Sequence, residues 1–172
     1  TAEQTNAEYL CINPKGRVPA LATPRGILTE TGAILDYIAA TAPEANLVPQ
    51  DPFDAAKMRE MMYYLASTMH VNHAHKLRGT RWADLQSSFE DMTAKVPETM
   101  RASAAYVEEH AVLAPFVTGD QLSLADPNLF VVANWLPGDG VPLADFPKLN
   151  AFHTLMNERA SVVQAREMGI LV

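Results

Sequence analysis

Two residue pairs and one histidine-rich stretch hold the groups in this chain best able to do chemistry. The first pair is Val18-Pro19, inside Gly16-Arg17-Val18-Pro19-Ala20-Leu21. Proline has no N–H, and its ring holds the strand at an angle that leaves Val18's own N–H and C=O free. The second pair is Glu30-Thr31, where a carboxylate and a hydroxyl open a helix. A helix start presents unpaired N–H groups, which suit an anionic or zwitterionic ligand. The turn at Pro24-Arg25-Gly26 folds two short strands between these pairs. Together the parts predict a site for the amino-acid end of a small peptide.

The histidine-rich stretch reads Ser67-x-x-His70-x-x-His73-x-His75-x-x-Arg78-x-x-Arg81-Trp82. At about 100° per residue, Ser67, His70 and Arg78 lie towards one side of a helix, with His73 adjoining. Three readings stay open. The stretch is a polar face turned to water or to a second copy, or it lines a cleft opposite the peptide site, or it holds a metal. In the cleft reading it offers donors to the peptide or to a second substrate. The metal reading needs a tetrahedral set, and no nearby carboxylate or thiol completes one, so no metal is expected. His73, Arg78 and Trp82 are candidates for a substrate pocket, with Trp82 as an aromatic platform and the arginines as carboxylate binders.

The elements that must position these groups follow from periodicity and punctuation. Residues 1 to about 45 read as an extended segment, a hairpin and a short helix with Ala33, Ile34, Tyr37 and Ile38 on its apolar face. The pattern predicts one domain over 1–44, a linker over 45–51 and a second domain over 52–172. Asp51 and Pro52 fit the N-cap and first position of a helix running to about Arg78, with Gly79 as its terminator. Met58, Met62, Leu65 and Met69 form its apolar stripe. A further helix spans about 83–111, with Leu85, Phe89, Met92, Val96, Met100 and Val107 inward and Pro97 kinking or dividing it. Ser123 and Asp126 are spaced as N-cap and N3 of a capping box, ahead of an apolar helix buried nearly all round to Trp135. Two shorter helices, near 146–157 and 161–167, finish the chain. Cys11 is expected to be a small buried thiol, Lys15 a solvated turn residue, and the methionines core filling.

Composition narrows the function classes. A net charge of −7 with no basic block argues against a nucleic-acid partner. No apolar run approaches the roughly 20 residues of a membrane helix, so no membrane partner is expected. With a single cysteine no intrachain disulfide forms, and a reducing, cytoplasmic setting is the natural reading.

The ordered series Tyr9-Leu10-x-x-Asn13-Pro14-Lys15-Gly16-x-Val18-Pro19-Ala20-Leu21, then Leu28-Thr29-Glu30-Thr31-x-Ala33-Ile34-x-x-Tyr37-Ile38, resembles the later half of a glutathione transferase's N-terminal domain. The linker, the all-α region and the Gly119-Asp120-x-x-Ser123-x-Ala125-Asp126 box extend the resemblance over nearly all of the chain. It implies an α/β plus all-α fold: a partial thioredoxin-like domain followed by an all-helical one. It further implies that Pro19 is cis, that Val18's backbone pairs with the cysteinyl part of glutathione, and that Glu30 and Thr31 hold the γ-glutamyl end. Tyr64-Leu65-Ala66-Ser67-Thr68-Met69-His70 is similar to a bacterial beta-class segment whose Ser and His approach glutathione, which puts Ser67 and His70 in the binding set. The implied activity is conjugation of glutathione, as co-substrate, to an electrophilic small molecule, in a homodimer. Glutathione-dependent thiol-disulfide exchange, peroxide reduction or dehalogenation, and a non-enzymatic interaction module, are the alternatives.

The family's domain opens with a β-α-β unit of roughly 30 residues or more. Only 15 residues precede Gly16, and no strand-helix-strand pattern is read in them. The expectation is therefore that the natural N-terminus is absent from this sequence. The catalytic Tyr, Ser or Cys would then lie upstream of Thr1.

Overall fold

The computed structural model describes residues 3–171, and the chain divides between Leu47 and Val48 into two compact units.

In the first unit the segment ahead of the hairpin is helical, where extended chain was expected. A 3-10 turn, Glu3–Thr5, leads into α1, Ala7–Ile12. The Asn6 side chain caps α1 by accepting the Tyr9 N–H at 2.7 Å, a local bond that offsets the weak helix preference of so short a run. No residue of α1 is buried. Cys11 is accordingly exposed, not buried, with its S–H donated to the Ala7 carbonyl at 3.3 Å. Strands β1, Ala20–Thr23, and β2, Gly26–Thr29, pair antiparallel with Ala20 opposite Thr29 and Thr23 opposite Gly26. Thr23 closes the turn by donating its hydroxyl to the Gly26 carbonyl at 2.7 Å. Helix α2, Thr31–Thr41, buries Ile34 and Ala39. Ala33, Tyr37 and Ile38, expected on its inner face, are exposed. A two-stranded hairpin covers only one ridge of a helix, and that ridge runs through Ile34.

The second unit is helical. Asp51 caps α3, Pro52–Tyr64, by accepting the N–H groups of Phe53 and Asp54 at 2.8 and 3.1 Å. The chain then widens into a π turn, Leu65–Met69, before α4, His70–Ala74. The single regular helix expected to Arg78 is thus interrupted and shorter. Gly79 does not end it but opens a 3-10 turn, Gly79–Arg81. A Cβ there would stand 2.9 Å from the Phe89 ring, so the glycine permits close approach.

Helix α5, Gln86–His110, runs through Pro97 undivided. Val96 and Met100, buried on either side of the proline, anchor it against the core. Val107 is buried as well, and Phe89 and Met92 are half-buried. Leu85, expected inward, is 67% exposed because it occupies the N-cap position in extended conformation. Helices α6, Ala125–Ala133, α7, Pro147–Asn157, and α8, Ala160–Glu167, complete the unit. The α6 helix stops short of Trp135, and Val131 on it is exposed, so it is buried on most sides but not all.

The core is built on the stripe Met58, Met62, Leu65 and Met69 against Met100, Leu129 and Phe152, all buried. Met61 and Met156 are buried too, whereas Met168 is exposed. Flexible thioethers suit the irregular gap that a π turn leaves in a helix face.

Asp126 is fully buried and accepts the Ser123 N–H at 2.7 Å, the Ser123 hydroxyl at 2.9 Å and the Val117 N–H at 2.8 Å. The backward reach to the Ser123 N–H is that of a capping box, but the hydroxyl donates to the carboxylate instead of capping the helix. Burial raises the Asp126 carboxyl above its ordinary value in spite of these donors.

His153 supplies a pH test of the helical core. Its ring lies between Asn134 Oδ1, 2.9 Å from Nε2, and the Asn157 amide nitrogen, 3.1 Å from Nδ1. That pattern fits a neutral ring donating to Asn134 and accepting from Asn157. Burial first, and the Arg166 charge second, lower its pKa from the ordinary value. The unfolded chain therefore takes up this proton at higher pH than the folded one, and stability rises with pH through that window. Urea unfolding should show a stability that falls as pH drops below about 6.5, and a shallower fall in His153→Gln.

Candidate functional site

In the first unit the peptide bond between Val18 and Pro19 is cis. Val18 is 70% exposed and precedes the strand ladder, whose first pair is Ala20 with Thr29. The chain leading into it is clamped at one carbonyl. Arg17 C=O accepts the Tyr9 hydroxyl at 2.8 Å and the Asn13 side-chain amide at 2.6 Å. Asn13 is buried, so this clamp is part of the unit's interior.

Glu30 sits at the N-cap position of α2 with φ at 73°, a left-handed value uncommon outside glycine. Its carbonyl accepts the first helical bond, from the Ile34 N–H at 3.0 Å, while its side chain makes no capping bond. The carboxylate Oε1 instead accepts from Lys15 Nζ, which also donates to Thr29 Oγ1 at 2.8 Å. Lys15 is thus a partner of the Glu30 pair and not simply a solvated turn residue. The hydrogen bond from Lys15, then its charge and that of Arg17, hold the Glu30 carboxyl below its ordinary pKa. Among the described residues no hydrogen bond is made to Glu30 Oε2, and the Glu30 side chain leaves the first N–H groups of α2 uncapped. An ionised carboxylate beside helix N–H groups matches an ammonium and a carboxylate on one carbon, the head of an amino acid.

In the second unit Ser67 lies in the π turn, exposed, and donates its hydroxyl to the Tyr63 carbonyl at 2.8 Å. Turns of this kind concentrate at functional sites. His70 opens α4 and meets the Trp135 ring edge-on at 5.2 Å, while His73 stacks on the same indole at 4.3 Å. His73 Nδ1 also lies 2.6 Å from Asp139 Oδ2. His70 and His73 are therefore brought together around Trp135. Trp82 is not part of that cluster, since its ring packs edge-on against His75. Arg78 is exposed just before the Gly79 turn. Among the described residues no group of three or more His, Cys, Asp or Glu side chains is placed to hold a metal ion.

Sequence reasoning missed Lys15, Asn13, Trp135 and Asp139. In the run Asn13-Pro14-Lys15-Gly16 the sequence reads Lys15 as a solvated turn residue and gives Asn13 no role of its own. Asp139 lies 66 residues from His73, and only the fold joins them.

Comparison with known proteins gives these sites their setting. Residues 1–40 match the family model for the glutathione S-transferase N-terminal domain, and residues 61–160 match the C-terminal one. A glutathione S-transferase of Pseudomonas putida is 32% identical over 161 residues, covering 88% of this chain and 70% of that protein. A crystal structure of a glutathione transferase homologue from Sulfitobacter, with bound glutathione, is 62% identical with a TM-score of 0.97, covering 99% of this chain and 82% of that one. The beta-class glutathione S-transferase of Sphingomonas chungbukensis is 26% identical with a TM-score of 0.81, over 98% and 81% of the two chains. The chain belongs to the glutathione S-transferase family.

Proposed function

We propose that this chain binds glutathione and transfers it to an electrophilic small molecule. Val18 offers its exposed backbone N–H and C=O to the cysteinyl residue, beside the ring of Pro19. Glu30 takes the γ-glutamyl ammonium, and Thr31 with the first N–H groups of α2 takes the α-carboxylate. Ser67 and His70 are assigned to glutathione through the similarity of their segment to the beta-class one. Bound and ordered this way, the thiol ionises more readily, and the thiolate is held for attack on its acceptor. A homodimer working in the cytoplasm, with no metal, completes the proposal.

One observation carries this reading: the exposed Val18 backbone and the Lys15-anchored Glu30 carboxylate flank the same open end of a single hairpin, where Ala20 pairs with Thr29. The 62% identity to the Sulfitobacter homologue crystallised with glutathione supports it. Calorimetric titration of the chain with glutathione tests it. Saturable binding at one site per chain is expected, and a titration without heat at millimolar ligand, with no retention on immobilised glutathione, refutes it.

A further inference from the structure

Asp139 is a buried carboxylate to which the glutathione reading gives no work. Its side chain is 1% exposed, at the end of the 3-10 turn Pro137–Asp139. It faces two side chains of the α4 region: the imidazole of His73, with Nδ1 at 2.6 Å from Oδ2, and the ammonium of Lys76, with Nζ at 3.3 Å from Oδ1. Lys76 also donates to the Gly138 carbonyl, so the turn is already tied to the helix without the imidazole. The His73 side chain keeps 26% of its surface, and among the described residues none hydrogen-bonds its Nε2. One face of the ring is covered by Trp135 at 4.3 Å with planes 21° apart, and His70 meets the same indole.

A buried carboxylate on Nδ1 fixes where an imidazole exchanges its proton: the Nδ1–H is held by the carboxylate, so proton exchange happens at Nε2. Here the exchanging nitrogen is the one to which no described residue hydrogen-bonds, on a partly exposed ring stacked on an aromatic wall. Resting on the reading of the chain as a glutathione transferase, we propose that His73 is a proton donor to the acceptor substrate, positioned by Asp139, and that the acceptors it serves are α,β-unsaturated carbonyl compounds.

The choice of acceptor follows from what a proton donor is good for. When a thiolate adds to the β-carbon of such a compound, the S–C bond forms and the C=C pair moves onto the carbonyl as an enolate. His73 Nε2–H gives its proton to the enolate, leaving a neutral ring that is reprotonated from solvent. That proton replaces the one the thiol released on ionising, so the sum is thiol plus alkene to thioether. Displacement of an aryl chloride needs no such proton, because chloride departs as an anion.

The test compares kcat for trans-4-phenyl-3-buten-2-one, an enone, with kcat for 1-chloro-2,4-dinitrobenzene, an aryl chloride. In His73→Gln the ratio of enone to chloride turnover is expected to fall about 100-fold. In Asp139→Asn it falls about tenfold or more, with KM for the enone moving far less than kcat. Imidazole added to His73→Ala should restore enone turnover, which a merely structural role would not allow. If Asp139→Asn does not fold, the two partly exposed His73 variants decide. An unmoved ratio in His73→Gln, or no rescue by imidazole, overturns the proposal. So does a wild-type protein that turns over the aryl chloride but not the enone, and the glutathione reading then survives. Absence of glutathione binding would instead remove that reading, and this proposal with it.

Discussion

Asp126→Ala is expected to lower the unfolding free energy by about 4 kcal/mol, the range for removing one partner of a buried ionic or hydrogen-bonded group. In a chain of this length that is a fall in Tm of about 10 °C. The size follows from what is left behind. Two backbone N–H groups, those of Val117 and Ser123, and the Ser123 hydroxyl all point at the vacated carboxylate. Each becomes an unsatisfied buried donor at about 1–3 kcal/mol, partly relieved by water entering the gap. Asp126→Asn should lose less, since its side-chain oxygen still accepts, although its NH2 must face one of the former donors. Burial raises the Asp126 carboxyl, so the charged form carries a desolvation cost that the amide does not. A Tm for Asp126→Ala within 2 °C of wild type, by differential scanning calorimetry, would show that the carboxylate does not hold α6 to the Val117 loop.

Asp126 also marks where the sequence was legible. Its spacing to Ser123 is a local, three-residue signal, and the backward bond it predicts is present. The same holds for the helix stripe Met58, Met62, Leu65 and Met69, which survives the π turn because all four side chains reach the same core. The hairpin, announced by the Pro24-Arg25-Gly26 turn, is of this local kind too. Other features depended on competition between local and distant terms. The six-residue α1 rests on one asparagine cap, a bond that a search for strand alternation overlooks. Lys15 sits in a turn whose side chain has no local partner, and it reaches Glu30 only because the hairpin brings the two 15 positions apart in sequence into contact. The π turn adds a residue to a helix without changing which residues are apolar, so periodicity cannot distinguish it from regular helix. His73 and Asp139 are the extreme case. Composition shows a histidine cluster, but which histidine acquires a buried carboxylate is decided by how the Pro137–Asp139 turn docks on α4.

That dependence on the fold sets up the binding test. Glu30→Gln is expected to weaken glutathione by about 30-fold, or about 2 kcal/mol, the worth of a charge-assisted hydrogen bond. The amide keeps the shape and one acceptor but offers no charge to the γ-glutamyl ammonium. Lys15 makes the experiment sharper, because it shares the carboxylate with the ligand. Lys15→Met should cost less affinity than Glu30→Gln, and the double variant should bind no worse than Glu30→Gln alone, since residues acting on one group do not add. The pH dependence separates positioning from charge. In the wild type Lys15 holds Glu30 ionised below the ordinary carboxylate range, so affinity should persist as pH falls through about 4.3. Without Lys15 the Glu30 pKa returns towards its ordinary value, and affinity should be lost at a higher pH than in the wild type. Equal affinity in wild type and Glu30→Gln removes Glu30 from the site. An acid limb that Lys15→Met leaves unmoved means instead that the lysine places the carboxylate without setting its charge.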